Sequence, residues 1–259
     1  MEQLPLIEGL PSVIQTDCAE VRERLEKIIL PKGFKAFGRI SKAGLHEIGV
    51  EPAEETPTKT GWVALPDRHK GNKSYIRLIE GLGAKGVRIA ALSPAGEPPS
   101  KPSVKPWEEL TMQDYLSPYQ DYLEHENRKV RLMGCGLGGV AALHLATRMP
   151  ELVTGICLVD SDKPSNMYEL PDLVVDDGPF HGHQGRVDME KLTQPILDIY
   201  GYDDGDMELL AEKQRESIAE FFQKSGKCHF AKSVGLAKRE SYDILDEHSA
   251  TIAKIVSEL

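Results

Sequence analysis

Residues 129–143 read Lys129-Val130-Arg131-Leu132-Met133-Gly134-Cys135-Gly136-Leu137-Gly138-Gly139-Val140-Ala141-Ala142-Leu143. Lys129 to Met133 predicts a short strand, and the alanine-rich run from Val140 to Arg148 predicts a helix stopped near Pro150. The small residues between them let a strand pass straight into a helix through a tight, strained turn that exposes the side chain at its centre, position 136. Nucleophilic chemistry at such a turn needs a hydroxyl or thiol activated by a histidine, and Gly136 supplies neither. Cys135 does not replace it. One residue earlier, it points away from the tip, and its neighbours in the shifted frame, Met133 and Leu137, are too large for the turn.

From Thr60 onward short β-rich runs alternate with amphipathic stretches, the pattern of a parallel sheet covered by helices. Strands are predicted over Gly61 to Pro66, Val87 to Leu92, Lys129 to Met133, Val153 to Asp160, Pro195 to Tyr200 and, at an edge, Lys227 to Val234. Helices are predicted over Ser74 to Leu82, Trp107 to Glu126 with an interruption or kink near Ser117-Pro118, Met207 to Lys224, and His248 to Leu259. Pro94 to Pro106 is a crossing loop. Residues 161–193 lose all periodicity and form an irregular insertion, a lid over the carboxyl ends of the strands. Residues 1–60 supply a helix, Cys18 to Leu30, and two antiparallel edge strands, Phe34 to Ile40 and His46 to Val50, packed on the same domain as residues 61–259. The fold class that follows is α/β, a three-layer α/β/α sandwich with a mostly parallel sheet and its site at the strands' carboxyl ends.

A chain of 259 residues with net charge −10 has no cationic footprint for nucleic acid. No stretch approaches the ~20 apolar residues of a membrane span. The four cysteines are widely spaced without a C-x-x-C pair, which reads as buried thiols. The start Met1-Glu2-Gln3 lacks a signal-peptide pattern, so the chain as written is cytoplasmic, or periplasmic if a signal peptide has been removed.

The segment Gly134-Cys135-Gly136-Leu137-Gly138-Gly139 resembles the G-x-S-x-G-G nucleophile elbow of the α/β-hydrolase fold superfamily, with glycine in place of serine. Gly201-Tyr202-Asp203-Asp204 looks like the G-x-x-D that carries that family's triad acid, and His248 follows at the start of the last helix in the family's order. The count favours Asp204 and leaves Asp203 open. The resemblance covers roughly Gly61 to Leu259, and Thr193 to Tyr200 is also similar to an uncharacterised bacterial family of α/β-hydrolase-like proteins. It implies a degenerate nucleophile position at Gly136 with Asp204 and His248 as relic partners. It also implies an oxyanion loop after the first parallel strand, where this chain has Pro66-Asp67-Arg68-His69-Lys70-Gly71 instead of His-Gly. Asp67, Arg68, Cys135 and Leu137 are then the candidate pocket residues.

Three functions remain open from sequence. The first is a pseudo-enzyme that binds a small molecule or a protein partner. The second is an active hydrolase or lyase in which His248 and Asp204 act on a bound water. The third is a nucleotide-binding domain whose phosphate turn is Gly134 to Gly139, with Asp160 at the end of the following strand as ribose ligand. His181-Gly182-His183 beside Asp176 and Asp177 is read as a solvated lid loop and not as a metal site, and no cofactor is expected. Asp160, Asp162 and Lys163 fall on the functional rim if the fold is right.

Overall fold

Strand residues alternate between two apolar layers, and that alternation fixes the three-layer architecture. Trp62 and Ala64 face one layer while Val63 and Leu65 face the other; Met133 and Cys135 are likewise divided from Leu132. The strands are β1 (Phe34–Ile40), β2 (His46–Pro52), β3 (Gly61–Leu65), β4 (Ile89–Leu92), β5 (Val130–Gly136), β6 (Val153–Ser161), β7 (Ile196–Asp203) and β8 (Ala231–Lys238). The computed structural model describes residues 21, 23–54, 60–67, 71–94, 100, 105–162, 164, 185–203, 217–226, 230–238 and 244–259.

The strands make one eight-stranded sheet in the order β1-β2-β4-β3-β5-β6-β7-β8. β1 pairs antiparallel with β2 and β2 antiparallel with β4, and all other pairs are parallel. One face is covered by α2 (Met112–Glu126), α3 (Leu137–Arg148) and α4 (Ile218–Lys224), and the opposite face by α1 (Ile76–Ala84), α5 (Ile244–Glu247) and α6 (Ser249–Ser257). The two antiparallel strands predicted before residue 60 are present, but β2 is an interior strand and only β1 is an edge. Among the described residues no helix is long and apolar enough to cross a membrane.

Three boundaries differ from the sequence expectation. The helical stretch from Trp107 breaks at Leu110, not at Ser117-Pro118. A single 3₁₀ turn, Trp107–Glu109, precedes extended Leu110, and Thr111 then caps α2 by accepting the Asp114 N–H at 3.1 Å while the Asp114 carboxylate accepts the Thr111 N–H at 2.9 Å. α2 runs on through Pro118, where burial of Leu116, Tyr119, Tyr122 and Leu123 outweighs one missing backbone bond. β8 lies later than Lys227 to Val234, because it pairs with β7 in continuous register from Ile196↔Ala231 to Asp203↔Lys238. α4 starts at Ile218, where the Ser217 hydroxyl accepts the Glu220 N–H; the rest of the predicted Met207 to Lys224 helix falls on residues 207–216, outside the described residues. So does most of the 161–193 insertion.

The β1-β2 extension carries buried charge. Glu47, 1% exposed, accepts the Arg39 Nε–H at 2.7 Å and the Tyr122 hydroxyl at 2.7 Å, and burial holds its carboxyl above the usual range against the pull of Arg39. Next to it, at the start of β2, His46 forms a buried polar cluster. Its Nδ1 accepts from the Asn72 amide at 3.0 Å and lies 3.3 Å from the Ser93 hydroxyl, and its main-chain N–H donates to the Ser100 hydroxyl at 3.0 Å. This cluster ties the turn after β3 to the end of β4.

β5, the elbow and α3 are pressed against the end of β3. A Cβ built on Gly138 would stand 2.2 Å from the Leu65 carbonyl oxygen and 2.6 Å from that of Pro66, both backbone atoms that cannot rotate away. Gly138→Ala is therefore expected to lower unfolding free energy by about 3 kcal/mol, the upper end of overpacking costs. Gly155→Ala, whose Cβ would make only ordinary contacts, should cost less than about 1 kcal/mol. Urea denaturation of both variants checks the pair. A second outcome concerns acid. Burial lowers His46 and His144 from an ordinary 6.5 to about 4, so the stability they contribute is complete above pH 6.5 and is lost as pH falls toward 4. Each should remove about 2 kcal/mol between pH 7 and pH 5. His46→Gln should make the pH dependence of the urea midpoint correspondingly shallower.

Candidate functional site

The site is built at the carboxyl ends of β3, β5 and β6. Gly136 is both the last residue of β5 and the N-cap of α3, with φ 52° and ψ −127°, a conformation costly to any residue with a side chain. Its carbonyl oxygen accepts the Asp162 N–H at 3.1 Å and the Ser161 hydroxyl at 3.2 Å, which fixes the turn to the end of β6.

β6 bulges at this point. Cys135 pairs with Val159 and Gly136 with Ser161, leaving Asp160 as the extra residue at φ 45°. The bulge holds Asp160 and Asp162 on the rim, as the sequence suggested, and brings Ser161 beside the elbow.

The group that faces Gly136 is Asp67. A Cβ built at position 136 would lie 2.6 Å from Asp67 Cγ, 2.7 Å from Oδ1 and 3.0 Å from its Cβ. The carboxylate thus stands in the volume that a nucleophile side chain would fill. Pro66-Asp67 leaves β3 next to the elbow because Leu65 pairs with Gly134 at the end of the parallel register.

The other residues singled out from sequence fall as follows. Cys135 is 3% exposed and packs in the core layer with Met133, Cys157 and Val159, so its thiol points away from the rim. Burial pushes the neighbouring Cys157 thiol up. Leu137 begins α3 and packs half-buried against the opposite layer. His248 is the N-cap of α6, and its Nε2 hydrogen-bonds the Ala237 carbonyl oxygen in β8. A carbonyl partner makes Nε2 the donor, so the nitrogen that a triad would turn toward its nucleophile is engaged along β8. Arg68 and Asp204 lie outside the described residues, as do Lys163, His181 and His183; Asp203 ends β7. Among the described residues no group of three His, Cys, Asp or Glu side chains is placed to hold a metal ion.

Sequence reasoning placed Asp67 on the oxyanion loop without showing that it fills the space at Gly136, and it missed Ser161 and the His46 cluster. Ser161 had one signal, its place directly after a strand. His46 had none, since its partners Asn72, Ser93 and Ser100 are distant in sequence and share no motif.

No known family profile matches the chain, and no curated protein matches it by sequence. Solved structures do resemble it. A naproxen esterase from Bacillus subtilis superposes with a TM-score of 0.63 at 15% identity, covering 95% of this chain and 96% of its own. A putative lipase from Acinetobacter baumannii gives 0.62 at 14% identity over 97% of both chains. A predicted CIB-like hydrolase from Thermoplasma acidophilum gives 0.59 at 14% identity, covering 87% of this chain and 99% of its own. With its parallel order β4-β3-β5-β6-β7-β8, the antiparallel β2 beside β4 and a strand–elbow–helix at β5, the chain has the α/β-hydrolase fold.

Proposed function

We propose that this chain is an α/β-hydrolase-like pseudo-enzyme that uses the rim around Gly136 to bind a ligand or partner instead of forming a covalent intermediate. The observation that carries the reading is the occupant of the elbow. Position 136 has no side chain, and the carboxylate of Asp67 lies in its place. A carboxylate there disfavours the oxyanion of acyl transfer, since that chemistry needs donors where negative charge develops. Asp160 and Asp162 add further acidic groups beside the elbow, so the rim suits a neutral or cationic ligand.

The alternatives draw less support. Hydrolysis by a water held between His248 and Asp204 needs an imidazole nitrogen turned to the pocket, and His248 Nε2 is bonded to Ala237. A nucleotide phosphate at the α3 N-terminus would meet the Asp67 carboxylate, and the elbow strand is central in the sheet with β3 and β4 on one side of it.

Two measurements test the reading. The unmodified protein should resist fluorophosphonate labelling, and adduct formation on a serine at the rim would overturn the proposal. Gly136→Ser should lower unfolding free energy by about 1–3 kcal/mol, from positive φ and from the clash with Asp67. Asp67→Ala in the same chain should recover most of the part due to the clash, because the two nearest atoms the new Cβ meets are Asp67 Cγ and Oδ1. Even the double variant should label no faster than the parent, because His248 Nε2 is engaged by the Ala237 carbonyl oxygen. A Gly136→Ser chain more stable than the parent would show that position 136 is not a strained elbow.

A further inference from the structure

At the opposite edge of the sheet, a cavity of about 770 Å³ opens among the amino ends of β3, β4 and β5, the start of β1 and the end of α6. Arg131 of its lining is the second residue of β5 and Gly136 the last, so the two sites stand roughly 16 Å apart along one strand. The chain is acidic, at −10. This cavity is not. Lys35, Arg39, Lys85, Arg88, Arg128 and Arg131 line it against Glu51, Glu54 and Glu126.

Two of the carboxylates are each shared by two cations. Glu51 accepts Arg39 through both oxygens at 3.0 and 3.2 Å and lies 3.5 Å from the Lys35 ammonium. Glu126 accepts Arg88, itself 8% exposed, at 2.7 Å and also accepts Arg128. Arg131 donates to the terminal oxygen of Leu259 at 2.6 Å, while Lys85 faces no side-chain carboxylate among the described residues and donates to the Ser257 hydroxyl at 3.1 Å. Beneath Arg131, with its guanidinium carbon 5.7 Å from the ring centre, lies Trp62, 2% exposed, whose indole N–H has no hydrogen-bond partner. A buried donor without an acceptor is rare and costly, and here it belongs to a residue that lines a cavity with surplus positive charge.

We propose that this cavity binds a compact multivalent oxyanion, a phosphate- or carboxylate-bearing small molecule, through Arg131, Lys85 and the Trp62 N–H. The lining holds six cations against three side-chain carboxylates and one indole N–H without an acceptor, and such an anion supplies both negative charge and acceptor. The site is independent of the elbow, so ligand at one leaves the other accessible.

Isothermal titration calorimetry of the unmodified chain with inorganic pyrophosphate and, separately, citrate, at fixed ionic strength, tests this. Saturable binding of at least one anion is expected, and the preferred one tells phosphate from carboxylate recognition. Arg131→Gln and Lys85→Gln should each weaken it by roughly 10-fold or more, the scale of a lost charge-assisted bond, while Gly136→Ser leaves it unchanged. As an independent readout, Trp107→Phe leaves Trp62 the sole tryptophan, and its emission should change with the same midpoint. Heats no greater than those of chloride at matched ionic strength would overturn the proposal, as would affinity unaltered in both variants.

Discussion

The approach of α3 to the end of β3 is the contact on which the remaining structure depends. The backbone of Gly138 lies so near the Leu65 and Pro66 carbonyl oxygens that no side chain fits between them. Only with that spacing can β5 turn into α3 at Gly136 without an intervening loop. The rest follows in sequence: β3 ends beside the elbow, Pro66-Asp67 leaves directly over it, and the β6 bulge at Asp160 brings Ser161 and Asp162 to the Gly136 carbonyl. The short connection therefore sets which groups surround the elbow. It also explains why a side chain that follows β3 can fill the space beside Gly136.

Much of the fold was legible because each strand's apolar residues sort by a period of two and each covering helix by a period near 3.6. The strand-to-helix turn at Gly136 was legible from its glycines taken together with the strand and helix patterns on either side. What the sequence concealed was of two kinds. At α2 the signal was present but outweighed: Thr111 and Asp114 form a capping box, while Pro118 looked like the stronger punctuation. In β8 nothing local marks the strand's true start, since its register is dictated by pairing with β7.

The candidate site divides in the same way. Gly136 could be placed at the strand-to-helix turn because one motif contains it. Asp67 could be assigned to a neighbouring loop, but its contact with the elbow is a tertiary fact joining residues 67 and 136. The cluster of His46 with Asn72, Ser93 and Ser100 joins residues still more widely scattered. Polar side chains that satisfy one another in the interior leave no periodic trace, whereas apolar ones do.

The basic lattice along β1 has a further consequence for how the molecule behaves in company. β1 is a sheet edge, with backbone groups available to another strand. Lys35 and Arg39 punctuate that edge, and Arg39 also sits 4.3 Å from the Phe37 ring centre, covering an aromatic that would otherwise be adhesive. A second chain approaching edge to edge brings an identical row of cations against them. Charges along this edge thus act as gatekeepers against fibrillar self-association, and anything that neutralises them lowers the barrier to edge-to-edge growth.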